Sequence, residues 1–221
     1  MINKHLMVEM AKIATKNIGL VTIDNISFGM GSGIKNATDE MTRYASLCNE
    51  ALYHMQVRTF LETVDLNQDE VNNFFNDNPD NQRLGIEILK ILESTILEKQ
   101  SKYIAITFKR YVRGEIDSRK FHQYLYVIDQ MNRHIVDEIE QDLEIVDKHT
   151  MHGLPSIENE MSIVAFTNTN ASKNQVLQNI GFLVERTEKQ ELLMTGDFEP
   201  KLFYFRTRLY LDFYLEIIKE E

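Results

Sequence analysis

The stretch that decides the fold is Gly181-Phe182-Leu183-Val184-Glu185-Arg186-Thr187, answered by Leu202-Phe203-Tyr204-Phe205 beyond a turn region holding Gly196 and Pro200. Branched and aromatic residues between a stop glycine and turn residues read as a strand and its return. This hairpin stands in a sequence whose remaining periodic segments read as helices. Upstream of it, a helical stretch with Met161, Val164 and Ala165 precedes a second one opening at Ser172, with Gln175 placed to complete a capping box and a stripe of Val176, Leu177 and Ile180. Downstream, Leu209, Phe213 and Ile217 mark an aromatic closing helix. Helix, turn, helix, hairpin, helix is the order of a winged-helix unit, so residues 153–221 are expected to form a small α+β winged-helix-like module.

Working back from the break His152-Gly153-Leu154-Pro155, the chain is helical in texture. Only three prolines occur in 221 residues, and Pro79 and Pro155 sit in polar or glycine-containing breaks, where a missing backbone donor does least harm. From Asp39 to Thr63, Met41, Tyr44, Cys48, Ala51, Leu52 and Met55 recur at helical steps and predict one buried stripe. Asn67 precedes Glu70 by three residues, a reciprocal cap for a short helix carrying Val71, Phe74 and Phe75. Leu84, Ile88, Ile91 and Leu92 repeat the spacing, as do Ile104, Phe108, Tyr111 and Val112, with Gly114 closing the segment. Asp117 caps the next helix, which runs through Phe121, Leu125, Ile128, Ile135, Ile139 and Val146 as one helix or as two joined near Asn132. The expected fold class is therefore mainly α, a multi-helix core over 35–152 followed by the module at 153–221. Residues 1–34 form an amino-terminal segment that contacts a partner or a membrane surface.

Composition narrows the function classes. Hydrophobic residues make up 43% of the chain, enough for a real core, and the 24 Lys and Arg against 34 Asp and Glu leave a net charge of −10. No apolar run reaches the roughly 18 residues of a membrane-spanning helix. Met1-Ile2-Asn3-Lys4-His5 does not open a secretory signal, and the expected compartment is the cytoplasm. A lone cysteine, Cys48, excludes an intramolecular disulfide and a cysteine-rich metal site.

The candidate chemistry is sparse. His149 and His152 lie three apart with Asp147 nearby, a spacing that presents two imidazoles and a carboxylate to a metal if the segment stays helical; a metal-dependent hydrolase centred there is one alternative function. Gly153 and Pro155 argue that the helix is ending, and no Glu stands where a metalloprotease motif needs one. His5, His54, His122 and His134 are scattered, and no serine or cysteine carries a nucleophile motif. Asp65, Asn67 and Asp69 begin like a calcium loop, but Glu70 occupies the position of the turning glycine and Asn76 that of the final glutamate, so a helix cap is preferred. Gly29, Gly31 and Gly33 match neither phosphate-binding fingerprint and read as a joint. Ile18–Ile34 is apolar enough to lie on a membrane, yet Lys16 and Lys35 are too few to hold an acidic protein at an anionic leaflet, so membrane contact is disfavoured. No catalytic, metal or cofactor residue is assigned, and no cofactor is expected.

Two charged groups remain. Between His134 and Lys148 the acids Asp137, Glu138, Glu140, Asp142, Glu144 and Asp147 occur without one basic residue, a solvated helix face that repels DNA and attracts a basic partner. Lys173, Arg186, Arg206 and Arg208, with Lys189 and Lys201, would have to meet phosphates if the module bound DNA. From Gly153 onward seven basic residues face eleven acids, a balance of −4, so protein contact is preferred over DNA contact. The partner-binding candidates are Asp137, Glu138, Glu140, Glu144, Lys173, Arg186, Arg206 and Arg208. Aromatic stripes including Phe203, Phe205, Tyr210 and Tyr214 exceed what one small domain obviously covers, which suits a homodimer.

The run Lys99-Gln100-Ser101-Lys102-Tyr103-Ile104-Ala105 through Phe108, then Tyr111-Val112-Arg113-Gly114-Glu115-Ile116-Asp117 and Phe121, resembles a pattern in poorly characterised helical proteins of bacteria, many from prophages or mobile elements. Gly181-Phe182-Leu183 and Thr207-Arg208-Leu209 resemble the degenerate winged-helix tail of the same group. These are core and turn positions. The resemblance implies the fold and a role in phage immunity or its evasion, and carries no activity with it. The expected function is non-enzymatic recognition of another protein of unknown identity, an accessory or inhibitor in the conflict between bacteria and phage. The alternatives are a winged-helix transcriptional regulator and the hydrolase above.

Overall fold

The computed structural model describes residues 3, 5–10, 37–77, 79–187 and 202–221. The apolar segment Ile18–Ile34, its glycines and the Gly196 and Pro200 turn lie outside the described residues. The chain is mainly helical with one small antiparallel sheet towards its carboxyl end, and it divides into two compact units, 1–129 and 130–221. Among the described residues no helix is long and apolar enough to cross a membrane.

In the first unit a short helix α1 (5–10) precedes α2 (Ala37–Thr63), α3 (Gln68–Asp77), α4 (Pro79–Ser94), α5 (Glu98–Val112) and α6 (Ser118–Gln130). Every residue of α5 from Gln100 to Phe108 except Lys102 is buried, the mark of a helix with neighbours on all sides. Its buried Gln100 and Ser101 find partners where they lie, while the buried Thr107 hydroxyl has none among the described residues. Gln100 accepts the amides of Ile96 and Leu97 at 3.1 and 3.0 Å and donates to the carbonyl of Ile128 at 2.9 Å, stitching the start of α5 to the end of α6. Ser101 donates to the side chain of Gln56 on α2. Phe108 meets Phe60 of α2 and Phe74 of α3 at 5.9 and 5.4 Å between ring centres, and Tyr111 stacks on Phe121 at 4.5 Å.

The stripe expected on α2 is not the face it buries. Cys48 and Ala51 are exposed and Met55 is 63% exposed, while Gln56, Phe60 and Leu61 are buried; Met41 and Tyr44 have side chains outside the described residues. The apolar pattern missed the contact because Gln56 belongs to the core through its bond to Ser101, and a polar residue breaks the periodic signal.

Several boundaries follow directly from local chemistry. Asn67 accepts the amide of Glu70 at 2.9 Å while Glu70 accepts the amide of Asn67 at 2.7 Å, a reciprocal cap that fills the loop read as calcium-like. The carbonyls of Phe74 and Phe75 at the end of α3 are taken by Asn81 and Gln82 of the next helix. Gly114 adopts φ +71° after α5, and Asp117 accepts the amide of Lys120 at 2.7 Å to open α6.

The second unit begins with α7 (Arg133–His149), capped by Asn132, which accepts the amide of Ile135 at 3.0 Å; the long periodic run is therefore two helices. There follow α8 (Glu160–Asn168), β1 (Asn170–Ala171), α9 (Gln175–Asn179), β2 (Leu183–Thr187), β3 (Leu202–Arg206) and α10 (Arg208–Phe213), which continues as a π-helical turn over Tyr214–Ile218. The sheet order is β1-β3-β2, with Phe205 of the central strand opposite both Asn170 and Val184. Gly181 turns the chain at φ +80° before β2, and Thr207 donates its hydroxyl to the Gly181 carbonyl and its amide to that of Phe182, fixing α10 against that turn.

Two expectations change here. The cap of α9 is Asn174, which accepts the amide of Leu177 at 3.1 Å, and not Ser172, because Asn170 and Ala171 are drawn into an extended pairing with β3 and helix starts only after it. The helix Arg133–His149, grouped by its periodicity with the core over 35–152, lies in the second unit, where its Glu138 and Asp142 side chains accept from Asn174 at the α9 cap and Arg206 of β3 and its Ile139 carbonyl accepts from Tyr210 of α10.

The Glu70 carboxylate is held below its usual range, first by its bond to Arg113 at 2.9 Å and then by the Asn67 amide. A depressed carboxylate contributes stability that is present above its unfolded pKa and is lost as pH falls through the lower folded value. Glu70→Gln is expected to cost about 1 kcal/mol at neutral pH, discounted from a buried pair by its exposure, and progressively less below pH about 4. Urea unfolding at pH 7 and pH 3 checks it; an equal penalty at both would remove the assignment.

Candidate functional site

The charged candidates all lie on the second unit, where the sequence places nine basic residues against seventeen acidic ones, a balance of −8 out of the chain's −10. Helix α7 sorts them. Ile135, Ile139, Leu143 and Val146 recur at three- and four-residue steps and are buried, so Asp137, Glu140 and Glu144 on other faces are exposed. Glu144 pairs with Lys148 at 3.2 Å. Glu138 is half-buried, accepts the side-chain amide of Asn174 and lies 3.7 Å from His134. It anchors the α9 cap and is not open to a partner on that side.

Asp142 is buried among the apolar positions of α7, where an unpaired carboxylate would be expensive. Arg206 from β3 meets it with two parallel bonds, Nε to Oδ2 at 2.8 Å and Nη2 to Oδ1 at 2.7 Å, and is itself only 5% exposed. Its guanidinium also lies 5.4 Å from the centre of the Phe166 ring. Tyr210 stacks on Phe182 at 4.3 Å, meets Phe166 edge-on at 5.2 Å and donates its hydroxyl to the Ile139 carbonyl at 3.4 Å. Burial, followed by the nearby Asp142 charge, pushes that phenol well above its usual range, so it stays a neutral donor. Arg206, expected at a partner surface, is thus a core residue: its position on the central strand faces α7 and leaves it no water to point into.

The other basic candidates do not assemble. Arg208 is paired with Asp212 one helical turn away at 2.7 Å, Arg186 is exposed with its guanidinium 5.1 Å from the Phe205 ring, and Lys173 is exposed just before α9. Of the aromatic residues expected to cover a dimer face, Tyr210 and Tyr214 are buried in the unit's own core and Phe203 and Phe205 are half-buried. His149 bonds the Ile145 carbonyl through Nδ1 at 3.0 Å, and among the described residues no group of three or more histidine, cysteine or acidic side chains could hold a metal ion.

A feature that sequence reading passed over is an apolar row on the surface. Met151 is 98% exposed, Ile157 78%, Met161 62% and Val164 55%. Met161 and Val164 lie one turn apart on α8, a helix capped by Asn159 and held inward by Ser162 and Phe166, both fully buried. Ser162 donates to the His152 carbonyl at 2.7 Å, which brings the Met151 turn to the start of the same helix. The signal was present in the sequence: α8 is apolar on the face opposite its core residues too, which an ordinary amphipathic helix is not.

No known protein family, curated protein sequence or solved structure matches this chain.

Removing one member of the buried ion pair leaves the other uncompensated, so Arg206→Ala is expected to destabilise the second unit by about 3–5 kcal/mol. The double change Asp142→Leu, Arg206→Leu is expected to recover most of that loss, because two apolar side chains need no counter-charge. Denaturant unfolding of the three proteins reads this out, and a double variant as unstable as the single one would contradict it.

Proposed function

We propose that this chain is a non-enzymatic protein-recognition protein, an accessory or inhibitor in the conflict between bacteria and phage. The observation that carries the recognition reading is the exposed row Met151, Ile157, Met161 and Val164, set on an acidic unit whose buried charges are spent on each other. Apolar side chains in water gain free energy when a partner covers them, and thioethers adapt to irregular surfaces. The exposed acids Asp137, Glu140 and Glu144 add steering towards a basic partner. The phage setting draws on the resemblance carried by Lys99–Phe108, Tyr111–Asp117, Phe121, Gly181–Leu183 and Thr207–Leu209 and on nothing else.

A second reading, transcriptional control through a winged-helix-like module, draws on the order of α8, α9, the β2–β3 pair and α10. Its electrostatics oppose it: Arg206 is buried, Arg208 is paired, and the unit carries −8. The metal-dependent hydrolase reading has no third ligand beside His149 and His152 among the described residues to draw on.

Affinity capture from bacterial lysate, with and without phage infection, compares the wild-type chain with Met161→Asp, Val164→Asp. Both positions are more than half exposed, so the variant is expected to fold. The expected outcome is a protein recovered with the wild type and lost with the variant. Recovery of DNA alone, or of the same proteins with both baits, would sink the reading.

A further inference from the structure

The chemistry of the missing partner can be read from what surrounds the apolar row. Resting on the recognition reading above, we infer that this face takes a basic amphipathic helix of another protein. Met161 and Val164 give a ridge one helical turn long, with Ile157 just ahead of the Asn159 cap and Met151 in the turn whose His152 carbonyl accepts from Ser162 of the same helix. Anchors spaced along one side of a helix are what an amphipathic ligand helix presents to such a surface.

The charges beside the row are mostly of one sign. Glu158 and Glu160 are exposed next to Ile157 and Met161 in the chain, and Asp147 is exposed four residues before Met151. Of the basic side chains there, Lys148 is paired with Glu144, His149 bonds the Ile145 carbonyl, and His152 is exposed. A ligand carrying lysine or arginine along the flanks of its apolar stripe therefore meets complementary charge at the rim while its stripe covers the row. The same arithmetic disfavours the other occupants. A second copy would bring another unit of −8, and an anionic membrane or a nucleic acid would bring phosphates.

The test uses the full chain and two fluorescent synthetic helical peptides with the same leucine stripe, one bearing lysines and the other glutamates on its polar side, titrated by anisotropy. The lysine peptide is expected to bind at least about tenfold more tightly than the glutamate peptide and to weaken as salt rises. Met161→Asp, Val164→Asp is expected to weaken it about tenfold or more, although the added charge attracts lysine, because the apolar contact is gone. Glu158→Gln, Glu160→Gln is expected to weaken it about threefold and to flatten its salt dependence. Equal binding of the two peptides, or unchanged binding by the aspartate variant, would overturn the inference. So would a sedimenting dimer that the aspartate variant abolishes, since the occupant would then be a second copy. A lysate protein lost with the aspartate variant alongside a lysine peptide that does not bind would overturn the basic helix alone and leave protein recognition standing.

Discussion

The second unit depends on a buried carboxylate that cannot be left alone. Asp142 sits in the apolar stripe of α7, and the two-pronged bond from Arg206 is what lets it stay there. That requirement fixes the distance and angle between α7 and the central strand β3, since a guanidinium satisfies a carboxylate bidentately only when the two are nearly coplanar. Phe166 then covers the guanidinium and Tyr210 fills the space beside the pair with its hydroxyl on Ile139. The sheet, α8 and α10 are thereby gathered on one side of an acid-rich helix, whose Asp137, Glu140 and Glu144 lie exposed on its other faces.

The first unit uses a different device. Its central helix α5 is buried all round, and the problem there is polar groups without charge. Gln100 answers it by closing the start of its own helix and reaching the end of α6, and Ser101 by reaching Gln56. Neutral amides and hydroxyls joined this way give specificity to the packing without the desolvation penalty of ions.

These two solutions have a consequence for function. The charges in the core of the second unit are spent internally, so the charged groups that remain are predominantly carboxylates, and among the described residues Met151, Ile157, Met161 and Val164 interrupt them. An acidic surface interrupted by two methionines, an isoleucine and a valine is the feature on which the proposed protein recognition draws.

Local chemistry was legible in the sequence because its partners are three or four residues apart. The caps at Asn67 and Asp117, the closing glycines Gly114 and Gly181 and the strands β2 and β3 were visible there, whereas at Asn132 the sequence left one helix or two open. What depended on distant partners was not. Arg206 read as a surface cation until Asp142, 64 residues away, was seen to hold it. Gln56 had no place in the predicted apolar stripe until Ser101 was seen beside it, and Ser172 gave way to Asn174 because a strand pairing claimed the residues before it. Met161 and Val164 marked only a helix in the sequence, because a side chain's hydrophobicity says that it should be covered, and only the tertiary structure decides whether the chain itself supplies the cover.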